Sequence, residues 1–429
     1  MQPCMQAACY GSQDNFQSAK ILRKMSVNRI IVLLAGSALV VTAFIPPAPQ
    51  TIGAGEIIYA MLIAVMLLVF VMKLMVGPCN LQKTYLYVPL GAFAFLVILS
   101  IWPSFIINNV SPYLWLRGIT PFLIYTVIPP LVYATRTSTD LRILISSLLL
   151  SAFVIALNSI RSITGAEGYW RALLPVHAFQ PHPIAAFAFL MGYATEVKGL
   201  RKIGVWIAAF FLLVVIMVTE SRSFIILAVV AAIFGTLRGG PVLAKLVRLG
   251  MVAIAIALLI ALLQRGGENI DVFRRFAKGI IDPTRVEETK AVLIEFAKSP
   301  IFGNGFGYQY TYERTSIHLV WEGQYTHNLV TYILLTTGLV GITVLLVAGV
   351  ALGREVLLSL KIIHHSVSQE AKALFWGSLY ALTATLGYAL FQSVFRSLGF
   401  PLIVSFCIVA VLKVRVHDMW QTCRRRCRS

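Results

Sequence analysis

The residues able to do chemistry gather where polar connectors meet apolar runs. The stretch Ile301–Gly341 reads IFGNGFGYQYTYERTSIHLVWEGQYTHNLVTYILLTTGLVG; it passes from a glycine- and tyrosine-rich segment through His327 and Asn328 into a purely apolar run. Gly303 and Gly305 allow tight turns and close backbone approach. His327 stands at the mouth of the apolar run, beside the chain's longest polar segment. Upstream, Thr219-Glu220-Ser221-Arg222-Ser223 is a hairpin between two apolar runs, where Arg222 is either a snorkelling anchor or a ligand-binding cation. Arg285 falls in the first turn of a helix opened by Asp282-Pro283-Thr284. A helix N-terminus attracts phosphate through free N–H groups and its dipole, and an arginine there adds a forked donor matched to phosphate. The alternative for Arg285 is a solvated pairing with Glu288.

These residues need a frame, and composition dictates which. The chain is 58% hydrophobic and 12% charged, with mean hydropathy +0.82. Charge-free runs of about 16–20 residues match the length that spans a bilayer. The expected architecture is an all-α polytopic membrane protein with about twelve transmembrane helices. They fall near 30–46, 55–72, 85–102, 118–135, 142–160, 183–197, 203–219, 223–238, 246–263, 327–350, 372–393 and 398–412. This divides the chain into a tail (1–29), nine spans (30–263), one large loop (264–326), three spans (327–412) and a basic tail (413–429). Of the 36 Lys and Arg, 23 fall in the connectors and tails of one side, against 5 in the short connectors of the other. The positive-inside bias therefore predicts cytoplasmic termini and a periplasmic large loop. No predicted span carries Asp, Glu, Lys or Arg in its interior, which argues against ion-coupled transport. Arg117, Glu220, Arg222 and Arg396 sit instead at span ends on the predicted external side.

The net charge of +19 lies in the connectors, as membrane topology requires, so it does not imply nucleic acid. Six cysteines, none in a predicted external loop, read as ordinary thiols. Zinc spacing, nucleotide-binding glycine motifs and Asp-x-Asp are absent, so neither metal nor cofactor is expected. The loop 264–326 holds eight basic and eight acidic residues and exceeds a plain connector. Short helices are expected over 268–280, where Ile270, Phe273, Phe276 and Ile280 recur, and after a capping box at Thr284 and Glu287. In the second helix Val286, Leu293 and Phe296 form the expected apolar stripe.

Three segments resemble the O-antigen ligase and polymerase superfamily of bacterial membrane glycosyltransferases: T-x-S-R at 219–222, Arg285 followed by SPIFGNGFG at 299–307, and THNLVTYILLTTGLVG at 326–341. A fourth, RALLPVHAFQPHP, is only loosely similar and has His182 where asparagine is usual. The resemblance implies transfer of a glycan from an undecaprenyl-diphosphate carrier to lipid A–core, or to a second lipid-linked glycan, at the periplasmic face of the bacterial inner membrane. It implies His327 as catalytic base and Arg222 and Arg285 as diphosphate ligands, with Ser221, Gly303, Gly305 and Asn328 in support. Two arginines can meet the charge of a leaving diphosphate without a metal. The ligase reading is preferred, polymerase is the alternative, and a lipid-linked glycan flippase is the rival from another class.

Overall fold

A backbone in lipid must satisfy its own polar groups, and the helix does so locally. The computed structural model describes residues 26–45, 53–76, 84–164, 180–218, 221–238, 283–314, 319–364 and 368–426, with a few isolated residues between 242 and 257. In chain order the helices are α1 (Val27–Thr42), α2 (Ala54–Val76), α3 (Tyr87–Leu99), α4 (Pro112–Leu123), α5 (Ile128–Ala134), α6 (Ser138–Thr164), α7 (His182–Ala194), α8 (Leu200–Val218) and α9 (Arg222–Leu237). Then follow α10 (Pro283–Lys298), strands β1 (Tyr310–Arg314) and β2 (Leu319–Gly323), α11 (Leu329–His364), α12 (Gln369–Phe391) and α13 (Gly399–Arg426). A π turn at Trp102–Ile107 extends α3, and a 3₁₀ turn joins α4 to α5.

Among the described residues, seven helical segments are long and apolar enough to cross a membrane, and four shorter apolar helices accompany them. Each overlaps a predicted span, so the fold is an all-α polytopic membrane architecture. The predicted span 246–263 lies almost wholly outside the described residues, as do the tail 1–25 and the expected helix 268–280.

The short α7 is the hub. All of its residues but Tyr193 are buried, and it packs on α6, α8, α9 and α12. A helix enclosed by protein on all sides need not reach across the hydrocarbon, which accounts for its 13 residues. Its small residues set the spacing: a Cβ on Gly192 would meet the Trp376 carbonyl carbon at 2.7 Å, so α7 and α12 touch backbone to backbone. His182, at its start, is fully buried with Nε2 2.9 Å from Thr42 Oγ1, and so is a core residue.

The other organising feature is a break in α11 at Gly338, whose φ of 63° and ψ of −154° no other residue adopts readily. An unbroken helix would bond Leu339 N–H to the Leu335 carbonyl and Val340 N–H to that of Thr336. Instead Leu339 and Val340 donate to the carbonyls of Pro300 and Ile301, at 2.9 and 3.2 Å. Leu335 and Thr336 accept from the N–H groups of Asn304 and Gly305, at 2.8 and 2.9 Å. The segment 299–307 thus fills the break and satisfies these four groups. Asn108 Nδ2 and Ser104 Oγ of the π turn pin it from the other side, through the carbonyls of Asn304 and Phe306.

Candidate active site

Helix α10 begins at Pro283, a residue preorganised for the first helical position. Thr284 therefore lies inside the first turn and not at the cap, which corrects the expected capping box. The stripe also differs from expectation: Val286 and Leu293 are 38% and 46% exposed, whereas Glu288 and Val292 are buried. The reason is tertiary. The face of α10 that meets the protein lies against β1 and α11 in a small core of Val292, Tyr310, Tyr312 and Leu335. The β1–β2 hairpin, unforeseen in the sequence, supplies the two tyrosines by the alternation of a strand.

A buried carboxylate must find partners, and Glu288, 3% exposed, has two. The Tyr310 hydroxyl donates to Oε1 at 2.6 Å. Burial, and then the Glu288 charge, hold the Tyr310 phenol well above its usual range, so it stays a donor. The other oxygen, Oε2, makes a very short contact with His327 Nδ1. A carboxylate accepts, so Nδ1 carries a proton toward Glu288, and in the neutral ring this leaves the lone pair on Nε2. The His327 side chain is 39% exposed and open to a ligand.

The backbone holds His327 in place. Asn328 Oδ1 accepts from Thr331 N–H at 2.8 Å and caps α11. Thr326 Oγ1 donates to the Asn328 carbonyl at 2.7 Å, and Thr331 Oγ1 donates to Thr326 Oγ1 at 2.8 Å. Asn328 thus fixes the start of α11 next to His327. Gly303 and Gly305, with φ of 68° and 87°, belong to the plug in α11 and support the site from behind. The Tyr325 hydroxyl bonds the Arg117 carbonyl at 2.9 Å, which ties the His327 segment to α4; burial pushes this phenol up to about 12.

Arg285 is one turn from Glu288 on α10, but its Nη1 donates to the Phe391 carbonyl at 2.8 Å, at the C-terminus of α12. Its Nε is buried without a partner among the described residues. Ser221, just before α9, reaches the same end of α12: its Oγ is 3.2 Å from Ser223 Oγ and bonds the Tyr388 hydroxyl, on which the Arg285 charge also acts. Arg222 opens α9 at this point and is described at its backbone only. The structure thus gathers Ser221, the start of α9 and Arg285 at one helix end, and Arg285 does not pair with Glu288. Arg396, half-buried in the turn after α12, feels the charges of Arg117 and Glu288.

Residues 207–346 match the family model described as O-antigen ligase, about a third of the chain. The match contains Arg222, Arg285, Glu288, His327 and the broken half of α11. Residues 207–346 thus carry an O-antigen ligase domain, which places that stretch in the O-antigen ligase and polymerase superfamily. Members of this superfamily are membrane glycosyltransferase-like enzymes, and the matched domain implies lipid-linked glycan substrates and a multi-pass bacterial membrane protein. No curated protein matches the chain. In this O-antigen ligase domain, Glu288 and Tyr310 are the members of the site that sequence reasoning missed. The available signal was an acid at helical spacing from Val292 and Glu295, on the face opposite the exposed Leu293.

Proposed function

We propose that the chain is an inverting glycosyltransferase of the O-antigen ligase type. It moves a glycan from undecaprenyl diphosphate to lipid A–core on the periplasmic face of the inner membrane. The observation that carries this reading is the buried Glu288 carboxylate held on Nδ1 of the partly exposed His327 ring. A base oriented in this way suits removal of a proton from an acceptor hydroxyl.

In the proposed step the acceptor oxygen attacks the anomeric carbon while its proton passes to Nε2. The bond from that carbon to the diphosphate oxygen breaks, and its electron pair leaves with the diphosphate. Attack from the opposite face inverts the anomeric centre. Glu288 stabilises the imidazolium formed, and Tyr310 holds Glu288 in register. Arg285 and Arg222 meet the charge of the departing diphosphate, so activity should persist in excess chelator; loss reversed by Mg²⁺ would mean that a metal shares that charge.

Glycan transfer is the test. His327→Ala in reconstituted membranes should abolish transfer and leave carrier-lipid binding intact, and normal turnover by this variant would remove the base. Supplying carrier-linked glycan with or without lipid A–core separates the two family reactions. One shift on lipid A–core identifies ligation, and a growing ladder without it identifies polymerisation. A flippase would move carrier lipid in the variant as in the parent.

A further inference from the structure

Helix α2 is poorly covered for its length. Of its 23 residues only Tyr59, Met66 and Phe70 are buried, and its packing partner is α1. Between α2 and α4 runs an apolar groove of about 590 Å³, lined by Ala60, Ile63, Ala64 and Leu67 on one side and by Leu116 and Ile124 on the other. Its upper end is polar: Arg117, Arg396, Tyr325 and Glu56 close it. Glu56 is engaged locally, its Oε2 accepting from Gly53 N–H at 2.6 Å.

Length and charge identify an occupant. From Glu56 to Leu67 a helix rises about 16 Å, roughly half of a ~30 Å hydrocarbon core, which is the depth of a lipid chain in one leaflet. At the head, Arg117 and Arg396 repel one another, and the nearest acid acting on Arg396, Glu288, is already shared by Tyr310 and His327. The Arg396 guanidinium carbon lies 5.9 Å from the centre of the Tyr325 ring, and Tyr325 also bonds Arg117. Two forked donors above an apolar channel are complementary to a phosphate that bears a hydrocarbon chain. A free phosphate has no use for the channel. Both arginines lie outside residues 207–346 and line the groove, which Arg285 does not.

We propose that this groove seats the acceptor, a phosphorylated glycolipid. One of its chains lies between α2 and α4, its phosphate sits between Arg117 and Arg396, and its sugar points over Tyr325 toward His327. The word acceptor rests on the glycosyl-transfer reading; the lipid site does not.

The test uses the full chain in phosphatidylcholine nanodiscs, with lipid A and undecaprenyl diphosphate as separate probes followed by native mass spectrometry. Arg117→Gln/Arg396→Gln removes the head contacts, and Ala64→Phe fills the channel from an exposed helix face. Each should weaken lipid A binding by about tenfold or more and leave undecaprenyl diphosphate within about twofold, which also reports an intact fold. In turnover, the KM for the acceptor should rise and that for the donor should not. Unchanged lipid A binding in both variants overturns the site. An equal loss of undecaprenyl diphosphate binding overturns it too, and assigns the groove to the donor. If no acceptor is glycosylated by the parent protein, the transferase reading fails, while the binding arm still decides the groove.

Discussion

At the residue scale the site reduces to one hydrogen-bonded line, Tyr310 to Glu288 to His327. Its consequences can be graded. Glu288→Gln keeps the shape but offers Nδ1 an amide in place of a carboxylate, so the imidazolium loses its counter-charge. Transfer should fall by about 10²-fold or more in kcat, with the donor KM unchanged. A change in KM alone would place Glu288 in binding. Tyr310→Phe leaves one carboxylate oxygen short of its donor and should cost about tenfold in kcat, at about 1–3 kcal/mol for a buried group left unpaired. Arg285→Ala should weaken undecaprenyl diphosphate binding without altering the His327 environment seen by NMR of a ring-labelled sample. Unchanged binding by this variant would remove its phosphate role.

At the element scale the broken α11 is the part most open to test. Gly338→Ala places a side chain in a backbone conformation that costs about 1–3 kcal/mol. Its Cβ would also come within 2.6 Å of the Gly303 nitrogen. The expected outcome is expulsion of the 299–307 plug, a lower thermal midpoint and lost transfer, although Gly338 lies in the helix behind the site. Asn328→Ala removes the α11 cap and should cost about 1 kcal/mol. Asn328→Asp restores an acceptor for the Thr331 N–H, so it should restore stability and most of the activity. Failure of that rescue would give the Asn328 amide a role beyond the cap.

At the scale of the whole molecule, the helices bring three distant regions to one end of the bundle: the start of α9, the segment from α10 through the hairpin, and the turn after α12. The proposed topology places that end in the periplasm. The check is labelling with a membrane-impermeant maleimide in spheroplasts of a variant whose native cysteines are replaced. Trp321→Cys, on the exposed side of the hairpin, should react from outside, while a cysteine at Lys361 should react only after permeabilisation. The reverse pattern would invert the orientation. The α7 hub gives a second check: Gly192→Val should prevent folding, since a side chain there meets the backbone of α12.

The membrane class, most helix positions and the importance of the Ile301–Gly341 stretch were legible in the sequence, because burial in lipid imposes long charge-free runs and glycine marks unusual backbone. His327 and Arg285 were legible as reactive types at a boundary. Their partners were not. Glu288 looks like any helix-surface acid until α10 is laid against β1 and α11, and the glycines of FGNGFG read as a flexible turn until α11 is seen to open at Gly338. Nor does spacing along the chain show that Arg117 and Arg396 flank the same space as Tyr325. Local sequence governs which segments become helices, because hydrogen bonding within a segment and transfer into lipid are local quantities. Which face of each helix is buried, and which acid meets which imidazole, are decided by contacts between remote segments, and only the tertiary structure turns the His327 junction into an oriented imidazole beside a cationic groove.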